Sequence, residues 1–469
     1  MVLRKKSLFR IIPVLILFLL LGSFSRGSLA MTVEEEKKLG KTVLLEIERQ
    51  GGLVNDPTIY VFINRIGYSI VRELGTTPFD FKFFVVKTHD PNAFAVPGGY
   101  IFVTTGLIVL AENEQEIAGV LGHEISHVTG RHIDRMMEKA KRLSLVTMAA
   151  MILGALAGRG GVGTGAAVAT GMATGETLAL KYSREYETDA DQNGLYRVVK
   201  AGYDPNGLIS FLNRIYKISL TAGPKVPTYL MNHPATEDRM ALLQNLLQAM
   251  GKPTGPFKKV GNFKRVQAKV FVEEREPDVA VNQFGSIVKA NPQDVDGIYG
   301  LGLALEKMGR LDKSTEVFQS GLSLSPKDPD LLRELGIVYL LSGKVDPAIE
   351  NLEASRSVSI PDQDSDLLTL YYLGRAYQEK EDLANALPLF LKVQKEMPEF
   401  VDVYLNIGSV YGRMGQKGLS HFYFGKHFKM RGDGRNALLH FKTALEWLEK
   451  GSPEREEVQQ EIKELTPRK

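Results

Sequence analysis

The sequence predicts an α+β, mostly α protein: a first domain with a small β-sheet among helices, then an all-α solenoid. Three observations predict it. Apolar residues recur at helical spacing over most of the 469 residues. Between about residues 79 and 105 that period gives way to β-branched and aromatic runs. Beyond residue 265 the same small and apolar residues return every 34 to 38 positions.

Residues 1–30 have the layout of a secretory signal. Arg4, Lys5, Lys6, Arg10 and Arg26 stand without an acidic residue, Ile11 to Leu21 is an apolar core, and Ser28-Leu29-Ala30 is a small-residue cleavage site. The core is about half the ~20 residues of a membrane span, which disfavours an uncleaved anchor. Of the 58 Lys and Arg residues five lie here, so the remainder carries 53 against 55 acidic residues. That near balance excludes a phosphate-tracking surface, and no nucleic-acid partner is expected. The chain has no cysteine, so it forms no disulfide and carries no lipoprotein cysteine.

The first domain is expected over 31–250. Residues 33–50 and 56–74 read as amphipathic helices; in the second, Ile59, Phe62, Ile63, Ile66 and Ile70 keep the helical period. Two strands follow, "FDFKFFVVKTH" and "YIFVTTG", separated by "DPNAFAVPGG" with its Pro97-Gly98-Gly99 turn. The next helix opens on Asn113 with Glu116 three positions on, a capping box, and runs into His123. Leu143 to Ala157 is apolar but too short for a straight span, and dissolves into a glycine-rich stretch. Its position between two motifs suggests a gate over a cleft, or a peripheral membrane contact; the plainer reading is a surface helical hairpin.

After a linker at 251–264, repeats run from 265 to 450, with a tail at 451–469. Leu301-Gly302, Leu335-Gly336, Leu373-Gly374 and Ile407-Gly408 recur at 34, 38 and 34 residues. Pro292, Pro326, Pro361 and Pro398 mark the unit boundaries. A small residue stands four before an apolar one in each second half: Ala280 and Phe284, Ser314 and Phe318, Ala348 and Leu352, Ala386 and Phe390, Ser420 and Phe424. Each unit is then two antiparallel helices, in which the Gly allows close approach, the small residue admits a neighbour's bulk, and the Pro ends the unit. The pattern resembles a tetratricopeptide array, whose concave surface holds extended segments or partner helices.

The chemistry centres on "VLGHEISHVTGRH". His123 and His127 are four apart on a helix, so both imidazoles reach one metal ion. Glu124, one position on, is placed to act as general base towards water. The third ligand is not His132. A His-Glu-x-x-His-x-x-Gly-x-x-His pattern would need histidine at 133, where the chain has Ile133. His132 instead belongs near the helix end or in the hydrogen-bonded surround. Downstream, Glu187 and Asp191 share a helical face; one can ligate while the other receives a histidine N–H. Glu185 and Asp189 read as a solvated face.

Four separated motifs resemble the gluzincin zinc peptidases that include the CAAX prenyl endopeptidases and the HtpX-type peptidases, in particular exported members with a C-terminal tetratricopeptide array. They are "PNAFAVPGGYIFVTTGLI", "LGHEISHVTGRH", "SREYETDADQNG" and "NHPATEDR". The resemblance implies a zincin-like domain holding one Zn2+ per chain. His123, His127 and Glu187 would be its ligands, Glu124 the general base, and Asp191 the partner of a ligand histidine. His233 would either donate to the oxyanion or occupy the open metal position and keep the enzyme latent; Arg239 would anchor its loop or a carboxylate. It further implies an endopeptidase in the periplasm of a Gram-negative bacterium. Unfolded or misassembled envelope proteins would be its substrates, and the array would contact clients or an outer-membrane assembly machine. A chaperone or adaptor with a closed metal site is the alternative. Asn92, Ala93, Phe94, Ala95 and Val96 are expected as an edge strand beside the metal helix, pairing with an extended peptide.

Overall fold

The computed structural model describes residues 31–50, 52–139, 183–221, 227–251, 253–358 and 367–466. The leader and the apolar and glycine-rich stretch at 143–173 lie outside them, so neither the gate nor the membrane contact can be placed. Helix α1 (Val33–Arg49) opens on a capping box between Thr32 and Glu35, and α2 (Pro57–Val71) is capped by Asp56. Strands β1 (Lys82–Val86), β2 (Ala93–Val96) and β3 (Tyr100–Thr104) form one sheet in the order β1-β3-β2. β1 runs parallel to β3 and β2 antiparallel.

The pleat sorts the side chains into two cores. Phe84, Phe94, Val96, Tyr100 and Phe102 pack with Leu39 and Val43 of α1. Phe83, Val85, Ala93, Ala95, Ile101 and Val103 face α2 and the helices that follow. Those are α3 (Thr105–Leu110), α4 (Glu114–Thr129), α5 (His132–Lys139), α6 (Arg184–Lys200), α7 (Asn206–Thr221), α8 (Thr228–Asn232) and α9 (Glu237–Ala249). The metal helix of the sequence reading is α4. Asn113 caps it through its side-chain oxygen, but Glu116 does not close the box. Glu116 is buried and takes both guanidinium nitrogens of Arg214 at 2.8 Å. A buried ion pair with good geometry wins over an exposed cap.

Helices α4 and α6 cross at a pair of glycines. A Cβ on Gly194 would lie 3.0 Å from the backbone of Gly122, and one on Gly122 would lie 2.5 Å from Val198. Only glycine allows this approach, which brings the acidic face of α6 against the histidines of α4.

From Phe263 to Leu465 the described residues form six helix pairs, the last helix (Pro453–Leu465) occupying the segment expected as a tail. The repeat glycines receive the bulky residue of the partner helix. A Cβ on Gly302 would sit 2.3 Å from the Phe318 ring, and Gly336, Gly374 and Gly408 meet Leu352, Phe390 and Phe424 likewise. Of the small residues, Ser314 and Ser420 also bond the carbonyls of Gly302 and Gly408 at 2.8 and 2.7 Å. The first and fourth pairs (Phe263–Glu274 and Leu367–Glu379) lie against α2, where Tyr60 and Val61 join their apolar contacts. No described helix is long and apolar enough to cross a membrane. Gly302→Val, which forces Phe318 out of its seat, is expected to cost about 1–3 kcal/mol, read as an earlier loss of helical circular dichroism on heating.

Candidate metal centre

Three segments converge on the centre. Helix α4 is apolar over most of its surface, with Ala118, Val120, Leu121 and Ile125 buried, and carries His123 and His127 inward. Helix α6, held close by the glycine crossing, supplies Glu187 and Asp191. Helix α8 ends at Asn232, and His233 follows as its cap, its N–H bonding Tyr229 O at 2.7 Å and its ring stacked on Tyr229. Helix α9, capped by Thr236, brings Arg239 in its first turn.

One donor atom from each of His123, His127, Glu187 and His233 lies within 4.8 Å of the others, and all four residues are buried. His127 Nε2 is 2.9 Å from His123 Nε2 and 3.3 Å from Glu187 Oε1. His233 Nδ1 is 3.2 Å from His123 Nε2 and 3.0 Å from Glu187 Oε1. Nitrogen and oxygen atoms sharing a small tetrahedral cation at ~2.0–2.1 Å stand roughly 3.3 Å apart. The donor set and its spacing fit a divalent ion of that kind.

Carboxylates fix the rings. His123 Nδ1 lies 2.9 Å from Asp191 Oδ1, and Arg239 grips Asp191 through Nε and Nη2 at 2.5 and 2.7 Å. Arg239 Nη1 reaches Glu187 Oε2 at 2.6 Å, leaving Oε1 turned to the histidines. Burial would raise the Glu187 carboxyl, but His233, Arg239 and His123 hold it well below the usual range. Asp191 is likewise held low against its burial, chiefly by Arg239. Burial pushes the His127 imidazole well down. An ionised carboxylate and a neutral imidazole are the states a metal requires.

The sequence reading put His132 near the helix end or in the hydrogen-bonded surround but gave it no partners. His132 Nδ1 lies 3.0 Å from His127 Nδ1, and His132 Nε2 lies 3.1 Å from Asp189 Oδ2, with Tyr186 stacked on the His132 ring. Asp189, read as part of a solvated face, is half-exposed yet serves this chain. Its spacing from His132 in sequence carried no signal; only the crossing of α4 and α6 joins them.

Glu124 is fully buried, and neither carboxylate oxygen has a hydrogen-bond partner among the described residues. His233 Nε2 lies 3.5 Å from its Oε1. The carboxylate is placed to take a proton from a molecule lying between it and the four donors. Burial opposes a charge on His233, but Glu187 and Glu124 together raise its affinity for a proton.

Strand β2 has one strand neighbour among the described residues, β3. The backbone of Asn92 is committed to Thr104: its O accepts Thr104 N at 2.9 Å and its N–H donates to Thr104 Oγ1 at 2.8 Å. By alternation Phe94 and Val96 also face β3, and Ala93 and Ala95 direct their backbone groups outward. Asn92 is therefore not free to pair with a peptide, and Phe94 turns its ring into the α1 core. Ala93 and Ala95 remain.

Replacing Arg239 by Met leaves the Asp191 and Glu187 carboxylates buried without their cation. The expected cost is about 3–5 kcal/mol, measured as a lower melting temperature of the metal-free chain.

Residues 62–247 match the model of peptidase family M48, and residues 265–329 match a tetratricopeptide repeat model. A putative beta-barrel assembly-enhancing protease of Vibrio cholerae is 33% identical over 214 residues, 45% of this chain and 43% of that one. The beta-barrel assembly-enhancing protease of Escherichia coli K12 is 29% identical over 227 residues, 48% of this chain and 46% of that one. The mitochondrial metalloendopeptidase OMA1 of Schizosaccharomyces pombe is 24% identical over 220 residues, 46% of this chain and 62% of that one. The chain thus spans about half the length of the bacterial relatives it matches. The protein carries a peptidase family M48 domain followed by tetratricopeptide repeats.

Proposed function

We propose that this chain is an exported zinc-dependent endopeptidase that cuts unfolded or misassembled envelope proteins. The observation that carries the reading is the buried set of His123, His127 and Glu187 beside a carboxylate, Glu124, that the fold leaves without a hydrogen-bond partner. A pure scaffold has no use for such a group. Zinc, held by His123, His127 and Glu187, would polarise the scissile carbonyl and acidify water. Glu124 takes the proton of the attacking water and passes it to the leaving amine. Asp191 and Arg239 keep His123 in its ligating orientation, and the Asp189–His132 pair does so for His127. An extended client chain adds to the edge of β2 through the outward backbone groups of Ala93 and Ala95, a recognition that reads backbone rather than sequence.

The signal-like leader supports a periplasmic address, and the names of the bacterial relatives support work in outer-membrane assembly. The tetratricopeptide array supplies a surface for clients or assembly partners.

One observation favours a latent resting state. His233 Nδ1 stands among the donor atoms, at the corner that a substrate carbonyl would need. In the second reading, a chaperone or adaptor, that closure is permanent.

Zinc-loaded chain 31–469 is expected to cleave casein, and Glu124→Gln to slow cleavage by about 10²–10⁴-fold with zinc content unchanged. Equal, absent cleavage by both would favour the chaperone reading. His233→Ala is expected to raise the rate of cleavage, followed as peptide release from labelled casein; a fall instead would assign His233 to the oxyanion.

A further inference from the structure

A second buried ionic cluster lies at the other end of the metal helix. Glu36 of α1 and Asp134 of α5 are both buried, and Arg131 lies between them. Arg131 Nε donates to Glu36 Oε1 at 2.8 Å and Nη2 lies 3.0 Å from Asp134 Oδ2. Arg131 sits at φ +51°, a left-handed conformation that costs a non-glycine residue free energy. That turn, directly after α4, aims its guanidinium into the cluster. Two carboxylates there face one guanidinium, the only cation recorded against them among the described residues. Among the described residues the cluster is one positive charge short, and an unbalanced buried charge is costly.

The missing charge has a candidate at the start of α1. Met31 N donates to Asp134 Oδ1 at 2.8 Å, and Met31 O accepts from Arg131 Nη2 at 2.6 Å. Met31 directly follows the Ser28-Leu29-Ala30 cleavage signal. In the uncut chain this nitrogen is a neutral amide. Hydrolysis of the Ala30–Met31 bond by an export-signal peptidase consumes one water, leaves a carboxylate on Ala30 and frees the nitrogen as an α-ammonium.

We propose that leader removal turns the Met31 nitrogen into the fourth charge of this cluster, an ion pair with Asp134 that fastens the new N-terminus to the end of the metal helix. The cleft there is lined by Glu36, Val96, His127, Arg131 and Asp134, so the clasp borders the same cleft as a metal-donor histidine and the end of β2. Arg131 is also followed at once by His132, the partner of His127. Processing thus braces the α4–α5 turn on which the His132–His127 contact depends. The inference rests on the reading of residues 1–30 as a cleaved leader, not on peptidase activity.

The test compares chain 31–469, released from a fusion so that Met31 is its first residue, with the same chain extended by Gly-Ser, each with Asp134 or Asp134→Asn. The extension is expected to lower the melting temperature by roughly 3–8 °C, and to lower it no further once Asp134→Asn is present. A harmless extension, or one whose effect is the same in both backgrounds, overturns the ion pair. Should Asp134→Asn fail to fold, α-acetylation of Met31 takes its place, and the acetylated chain must melt with the extended one. N-terminal sequencing of the exported protein tests the leader separately: any first residue other than Met31 overturns that reading whatever the melting shows.

Discussion

The candidate metal centre depends on one guanidinium. Arg239 spans Asp191 and Glu187, two carboxylates from successive turns of α6, and is itself almost fully buried. Without it two negative charges would stand a few ångströms apart in a dry interior, where their repulsion and desolvation would favour protonation. Protonated, Asp191 would no longer fix His123 as an acceptor of its N–H, and Glu187 would be a poor donor to a cation. Arg239 is also on the first turn of α9, a few residues after His233, so the same side chain that neutralises α6 sets where the loop bearing His233 ends. Chemistry and folding therefore share a residue: the loop cannot leave without uncovering the carboxylates.

Much of this was legible in the sequence because it was local. The four-residue spacing of His123 and His127, and of Glu187 and Asp191, fixes which side chains share a helical face whatever the tertiary fold. The 34-residue recurrence of glycine made the array readable for a related reason, since each glycine marks the same contact. What escaped the reading was joined across the fold. Asp189 and His132 meet only because Gly122 and Gly194 let two helices touch, and nothing about either residue's neighbours says so. Glu116 looked like a capping residue because its sequence neighbours are cap-like, yet Arg214, nearly a hundred residues on, claims it. The edge strand was placed by its position in the hairpin beside the metal helix, but which of its residues face outward is a matter of register, and register is set by the partner strand.

The array was expected to offer an open concave face, and the structure assigns part of that face to the chain itself. Lys269, on the first helix of the array, is buried between Asp56 at the start of α2 and Glu334 of the third repeat, at 3.1 and 3.2 Å. Farther along, Tyr60 of α2 donates to Glu399 at 3.1 Å. Glu306, half-buried near Glu334, has its carboxyl pushed up to about 8 by burial and by that neighbour. Pulling α2 out of the array would strand these groups and expose Tyr60 and Val61, and both costs act in the same direction. Helix α2 also packs on α4, so the surface that grips it stands one helix away from His123. The early repeats that grip α2 therefore stand behind the candidate metal centre, which leaves the proposed pairing of an extended client to the outward edge of β2.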